Sequence, residues 1–399
     1  MKRRDVLAGS GAALLSAGVA RAAVPGMNPG LPQGTLDEVA LATLPGKKPL
    51  LRLSDRPPNY EATMDAFATP ITPNDRFFVR YHLAGIPEMA ELRNWKLTVG
   101  GDAAGKEVSF TLPELRSLPQ HQFVAVCQCS GNRRGLFQPH VAGVEWGTGA
   151  MGCARWTGVR LKDVLNRAGV KAGALEVILH GADGPVLPAT PDFAKSIPMQ
   201  RALDDDTLIA YEMNGAPLPH LNGFPIRLIV PGWTATYWMK HLNQIEISSK
   251  PLQNFWMAAA YRVPAGMFPV AHPFASQTNA QSTPITEIVV NSLVTNVADG
   301  ATVKPGFEIK GIAWDSGSGI RTVETSLDGG AHWAPASLGQ DLGHYAFRPF
   351  SAALKAAPGA VKVMVRATSN AGEVQVDKLK FNPAGYHHNV IQTLALTVA

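Results

Sequence analysis

Val124-Ala125-Val126-Cys127-Gln128-Cys129-Ser130-Gly131-Asn132-Arg133-Arg134-Gly135 decides how the rest of the chain is read. An apolar, β-branched run ends at a cysteine, and a Gly-Asn turn then carries two arginines. This is the pattern of a strand that delivers a thiol to a turn. Cationic neighbours lower a thiol's pKa and keep it as thiolate, the form that ligates soft metals or attacks substrates. Taken singly, each feature has a plainer reading: a buried cysteine as a small hydrophobe, an arginine pair in solvent. Their combination points to a site.

Two further clusters lie outward from this stretch. In Phe77-Phe78-Val79-Arg80-Tyr81-His82, a strand would set Arg80 and His82 on one face. Polar groups in so aromatic a run need partners or a ligand, and a satisfied structural pair is the alternative. The second cluster runs from Tyr211-Glu212-Met213-Asn214-Gly215 through Asn222-Gly223-Phe224-Pro225-Ile226-Arg227 to Pro231-Gly232-Trp233 and Trp238-Met239-Lys240. By composition it is a set of turns around a buried strand. Gly147-Thr148-Gly149-Ala150-Met151-Gly152 fits G-x-G-x-x-G, but neither a strand before it nor a helix opening on it is expected, so it reads as a glycine-rich loop. G-x-S-x-G, the Walker P-loop, H-E-x-x-H and C-x-x-C are absent, and without C-x-x-C-H the chain carries no c-type haem.

The chain has 399 residues, 46% of them hydrophobic and 17% charged, a globular composition with room for more than one core. Thirty-six Lys and Arg face 31 Asp and Glu, for a net +5. Removing residues 1–22, which hold Lys2, Arg3, Arg4 and Arg21 against Asp5, leaves 32 basic against 30 acidic residues, or +2. So balanced a body argues against a nucleic-acid binder held by bulk charge. Three cysteines make no disulfide scaffold. Residues 1–22 read as an export signal: a basic region with paired arginines, an apolar run over 6–20, and Ala20-Arg21-Ala22 for cleavage. An ordinary Sec signal is the alternative. The paired arginines favour the twin-arginine route, which exports folded proteins and so implies a group installed beforehand. A periplasmic protein without a membrane span is expected.

Residues 23–74, rich in Pro and Gly, read as an arm over a neighbouring surface. Residues 75–271 form a dense α+β region with strand-like runs at 77–81, 123–129, 176–180 and 225–230. A helix is expected over 161–168, where Leu161, Val164, Leu165 and Ala168 share a face and Gly169 supplies the stop. Polar residues 272–284 read as a linker. Beyond it, extended runs at 285–290, 302–310, 323–327 and 361–368, with a turn at Asp328-Gly329-Gly330, predict an immunoglobulin-like β-sandwich over 285–399.

Together these clusters resemble the sulfite oxidase family of molybdenum enzymes. The resemblance rests on Cys-x-Gly-Asn-Arg-Arg, Phe-Val-Arg-x-His-Leu and Tyr-Glu-Met-Asn-Gly-x-Pro-Leu-Pro with Gly-Phe-Pro-x-Arg. Trp146-Gly-Thr-Gly-Ala-Met-Gly-Cys-Ala-Arg-Trp and Ser326-Leu-Asp-Gly-Gly-Ala-His-Trp333 extend it across about residues 75–399. It implies a sulfite-oxidase-type molybdopterin-binding domain followed by the sandwich, in the manner of bacterial periplasmic sulfite dehydrogenases. The implied cofactor is a molybdenum-pyranopterin, with Cys129 as the protein's thiolate ligand and Cys127 and Cys153 outside that position. Arg80, Arg134 and Tyr261 are implied on the substrate side, with Trp146 as a pocket wall. Cofactor contacts are implied from Phe78, Val79, Arg80, Tyr81, His82, Asp183, Asn222, Arg227, Trp238, Met239 and Lys240. Where other members use a third arginine, the tail Tyr386-His387-His388-Asn389-Val390 offers histidines, which leaves that third anion contact open, with His388 as one candidate for it.

The implied activity is oxidation of sulfite to sulfate by oxo transfer from Mo(VI), with electrons passing singly to a c-type cytochrome. That acceptor is either a subunit or a soluble protein, and the assembly either a heterodimer or a homodimer. A related molybdenum oxidoreductase acting on a sulfoxide or another oxyanion is the runner-up. A secreted binding protein built on the sandwich is the non-enzyme alternative.

Overall fold

The structure, a computed structural model, describes residues 40–399. The export signal expected at 1–22 and the first part of the arm lie outside the described residues. Among those described, no helix is long and apolar enough to cross a membrane.

The strand Gln120–Gln128 is the spine of the site. It pairs antiparallel with Met151–Arg160, from Gln120 opposite Val159 to Gln128 opposite Met151. Leu208–Met213 and Ala216–Pro217 continue the sheet beyond Met151–Arg160. From Val124 onward the strand is buried. Its outer edge is covered rather than exposed: Val126 N–H donates to Tyr345 O (2.9 Å), a residue of the C-terminal domain. Covering an edge in this way satisfies backbone groups that would otherwise pair with another chain. A second sheet, with Leu242–Ser248 at its centre, runs Ala194–Pro198, Glu176–Gly181, Leu242–Ser248, Lys96–Gly100, Val108–Thr111. The helix Leu161–Ala168 forms as its apolar spacing predicts, burying Leu161, Val164, Leu165 and Ala168, and it stops at Gly169 with φ 75°.

Residues 40–74, expected as an arm, take part in a sheet of their own: Ala40–Ala42, Leu50–Asp55 and Pro58–Glu61, closed by Val79–Arg80. Leu50, Tyr60, Val79 and Tyr81 fill its small core. Residues 272–284, expected as a linker, are packed. Phe274 is buried against Trp233 and Tyr237, and Ser282–Pro284 pairs with Arg262–Pro264. Ser276 and Gln277 donate to the buried Glu176 carboxylate.

The C-terminal domain is a two-sheet sandwich. One sheet runs Asn291–Val294, Gly306–Trp314, Arg348–Lys355, Ser337–Leu338, and the other Thr302–Val303, Gln392–Val398, Gly359–Ser369, Ile320–Ser326, Ala334–Pro335. Ile309, Ala313 and Phe350 from the first face Val323, Val363, Val365 and Leu394 from the second in one core. The expected turn at Asp328 lies in the hairpin joining Ile320–Ser326 to Ala334–Pro335. The expected strand over 285–290 does not form. Those residues instead bond to loops of the first domain, with Ile285 N–H donating to Tyr261 O (3.0 Å) and Ile288 N–H to Gly232 O (2.9 Å).

Candidate active site

Cys129 directly follows Gln128, the last residue of the spine strand. Its N–H donates to Ala150 O (2.9 Å) and its carbonyl accepts Asn132 N–H (3.0 Å), so the turn Ser130–Arg134 folds back directly over it. Of the three cysteines, only Cys129 lines the cleft described next. Cys127 and Cys153 are fully buried, and burial pushes their thiols up to about 11 and about 12. They remain neutral and inert at ordinary pH.

The cleft has a volume of about 610 Å³. Phe78, Arg80 and His82 project into it, together with Asp183, Asn222, Arg227, Trp238, Met239, Lys240 and Tyr261. These residues come from four separate stretches of sequence. Two groups can be distinguished by their hydrogen bonds. In the first, Arg80 Nη2 donates to Tyr261 Oη (3.2 Å) and the tyrosine hydroxyl is directed to His82 Nε2. Burial drives the Tyr261 pKa up, and Arg80 only partly opposes it, so the hydroxyl keeps its proton. Burial, then Arg80 and Lys240, hold His82 well below its ordinary value and therefore neutral. Burial disfavours the Arg80 charge, yet the neighbouring Tyr261 and Cys129 hold its pKa above the ordinary arginine value.

In the second group, Arg227 donates to Asn222 O (3.1 Å) and Trp238 O (3.2 Å). Asn222 Nδ2 donates to Phe78 O (3.1 Å), and its Oδ1 accepts from Lys47 Nζ (2.5 Å). Lys240 Nζ donates to Arg80 O (2.6 Å) and joins the two groups. Burial pushes Lys240 far down and Asp183 up, their mutual attraction working against both shifts. Arg80, Arg227 and Lys240 thus line a buried cleft with one carboxylate, and an anionic ligand would restore the charge that burial withdraws from Lys240.

Several expected contacts fall elsewhere. Successive side chains alternate along an extended strand, so Val79 and Tyr81 turn away from the cleft into the small N-terminal core. Trp146 is fully buried behind Phe78, edge-to-face with ring centroids 6.5 Å apart. Arg134 is one layer back as well. Its guanidinium lies 5.2 Å from the Tyr386 ring, which stacks on Tyr261, and it donates to Ala384 O (3.1 Å). His388 is not among the cleft residues. It packs on Phe137 and borders a different cavity with Arg133.

Other lining residues were missed. Phe193 stacks on His82, and Ser130 and Thr236 complete the wall. Lys195, fully buried, stands 5.0 Å from the Tyr261 ring centroid. Thr236 lies within the Pro231–Lys240 stretch already marked by composition, whereas Phe193 and Lys195 carry no local signal.

Whether the cleft fits a metal cofactor can be judged from its own atoms. Ser130 Oγ, Thr236 Oγ1 and Arg227 Nε are buried without a hydrogen-bond partner, and all three belong to lining residues. Buried polar atoms left unpaired are costly unless a ligand takes them. Among the described residues, no three His, Cys, Asp or Glu side chains come together to hold a metal ion. A soft metal on Cys129 therefore needs its remaining donors from an anionic organic group, and the cations around the cleft suit one.

Residues 83–256 match the family model of the oxidoreductase molybdopterin binding domain. Residues 282–398 match that of the Mo-co oxidoreductase dimerisation domain. The fold is also similar to the crystal structure of the sulfane dehydrogenase SoxCD from Paracoccus pantotrophus, with TM-score 0.73 and 23% identity over 98% of this chain and 96% of that one. Fold and cleft together define a molybdopterin-binding oxidoreductase domain joined to a sandwich domain. Sulfite oxidase of Arabidopsis thaliana is 33% identical over 314 residues, 75% of this chain and 78% of that protein. Mitochondrial sulfite oxidase of Rattus norvegicus is 36% identical over 304 residues, 74% of this chain. The chain belongs to the sulfite oxidase family. It spans about half (54%) of the length of that rat relative.

Proposed function

We propose that the protein oxidises sulfite to sulfate in this cleft, with one water consumed and two protons and two electrons released per turnover. When bound, a molybdenum-pyranopterin supplies the oxygen transferred to sulfur and takes up the two electrons. Cys129 would hold the metal, and Asn222, Arg227 and Lys240 the anionic part of the pterin. Arg80 offers a planar fork of donors matched to two oxygens of a sulfur oxyanion. Tyr261 keeps its proton and presents a hydroxyl fixed between Arg80 and His82, a donor for substrate or product oxygen. His82, neutral, holds that hydroxyl in place through its Nε2. Phe78 and Phe193 exclude water, which strengthens each of these interactions.

One observation carries the reading: the only thiol that reaches the cleft shares it with an arginine and a tyrosine hydroxyl already bonded to each other. Electrons leave singly to a c-type cytochrome, held as a subunit or met in solution, while the C-terminal sandwich supplies a surface for pairing with a second chain. Arg3-Arg4 and the apolar run after them support export to the periplasm by the twin-arginine route.

The test is a substrate panel on the holoenzyme. Sulfite and a sulfane-sulfur donor are offered with ferricytochrome c, and nitrate and methionine sulfoxide with a reduced dye. Turnover of sulfite alone is expected. Turnover of sulfoxide or nitrate without sulfite would move the substrate to that class.

A further inference from the structure

We propose that Glu61 is a positioning residue, whose carboxylate sets the backbone loop that holds the Cys129 turn in place. The proposal rests on Cys129 being the metal ligand. The loop is Gly147-Thr148-Gly149, which fits a nucleotide-binding string by spelling but binds a carboxylate of its own chain. Gly147 N–H donates to Glu61 Oε2 (2.7 Å) and Gly149 N–H to Glu61 Oε1 (2.7 Å). Successive backbone N–H groups turned to one point make an anion nest. Glu61 is buried at the end of the strand Pro58–Glu61, and no Lys, Arg or His forms an ion pair with it among the described residues. The next residue adds a further bond, Ala62 N–H to Gly149 O (3.1 Å). The approach is close enough that a Cβ on Gly149 would fall 2.1 Å from Ala62 O, which leaves glycine as the residue that fits.

The same loop is bonded along its length to the cysteine turn. Gly135 N–H donates to Trp146 O (2.9 Å), Arg133 N–H to Gly147 O (2.7 Å), and Cys129 N–H to Ala150 O (2.9 Å). Ala150 N–H donates in return to Asn132 Oδ1 (3.1 Å). Glu61 lies 86 residues from Gly147 in sequence and outside the stretch that matches the molybdopterin-binding model. It therefore reaches the metal-ligating turn only through this loop. Because both carboxylate oxygens are used, an amide cannot replace it: one oxygen becomes an NH₂ facing a glycine N–H.

Hydrogen exchange on the full-length holoenzyme tests this, read at about pH 8, above the value of about 7 to which burial lifts the Glu61 carboxyl. In Glu61→Gln, amides in 129–135 and 146–150 are expected to exchange about tenfold faster, while those of the sandwich strand Gly306–Trp314 keep their wild-type rates. Glu61→Asp keeps the charge but is one methylene short, and is expected to fall between the two. It also serves as the readable variant if the glutamine form does not accumulate. The Mo(V) electron paramagnetic resonance signal, which reports thiolate geometry, should shift in the same order. Wild-type exchange over 129–135 in both variants would overturn the proposal, as would a rise spread evenly over the chain. Faster exchange in the variants of a protein that does not turn over sulfite would leave Glu61 in this role and sink the proposed activity instead.

Discussion

Acidification from about pH 7.5 to about pH 4.5 should weaken the fold through His241, by an amount its surroundings set. Its imidazole is fully buried, with Nδ1–H donating to Phe224 O (2.6 Å) and Nε2 accepting from the Tyr81 hydroxyl (2.7 Å). Both ring nitrogens are thus satisfied in the neutral form. Burial, reinforced by the Lys240 charge, pushes its pKa from 6.5 to about 3. Over this window the unfolded chain takes up a proton that the folded chain does not. Stability is therefore complete above pH 6.5 and is lost as the pH falls toward 3. Two units below 6.5, the loss from His241 alone is about 3 kcal/mol. His387 and His388, pushed by burial to about 4 and about 3, act in the same direction. Glu61 acts oppositely, since burial raises it and its folded form gains a proton first on acidification. His241→Gln isolates the one group: glutamine offers a donor to Phe224 O and an acceptor to Tyr81 but does not titrate. Urea unfolding followed by tryptophan fluorescence at the two pH values gives the difference. The wild type should lose about 3 kcal/mol more than the variant. Equal losses would refute the assigned neutral, doubly bonded imidazole.

Arg80→Gln removes a charged fork from the cleft while leaving its shape. It should lower kcat/KM for sulfite by roughly 30-fold, mostly through KM, as steady-state kinetics would show. Arg133 donates from full burial to Asn291 Oδ1 (2.5 Å) and Ser292 O (2.7 Å), tying the cysteine turn to the sandwich. Arg133→Met removes both bonds, although Asn291 Oδ1 still accepts from Gln375 Nε2 (3.1 Å), and should cost about 2 kcal/mol, seen as a lowered thermal midpoint with the two domains no longer melting together. Lys47, lowered by burial to about 7, should add stability as the pH rises from 7 toward 10.5. Denaturant titrations across that range should show a larger rise in the wild type than in Lys47→Gln, where the buried Lys195 and Lys240 still contribute in the same direction.

Local pattern exposed much of this molecule and long-range pairing hid the rest. The strand that leads to Cys129, the helix over 161–168 and the alternating strand over 361–368 follow from spacing that a single window contains, whereas the extended run expected at 302–310 divides into Thr302–Val303 and Gly306–Trp314 in different sheets. The cleft residues Phe78, Arg80, His82, Asn222, Arg227, Lys240 and Tyr261 stand in motifs that the family resemblance marks, and the structure brings them together. That Val79 and Tyr81 face away was also legible, since alternation places them opposite Arg80. Glu61 and Lys47 were not. Each is one charged residue in a proline-rich segment without period, and its partner lies 86 or 175 residues away. The run 285–290 misled for a related reason. Its apolar residues are buried against loops of the first domain, so burial alone, without a ladder, explains its composition.

Molybdenum content and sulfite-dependent reduction of ferricytochrome c, measured together on wild type and Cys129→Ser, bear most directly on the proposed activity. About one molybdenum per chain with sulfite turnover in the wild type, and loss of turnover in a variant that still folds, is the predicted result. A Cys129→Ser protein that oxidises sulfite at the wild-type rate, or a wild type that fills with molybdenum and leaves sulfite untouched, would contradict it.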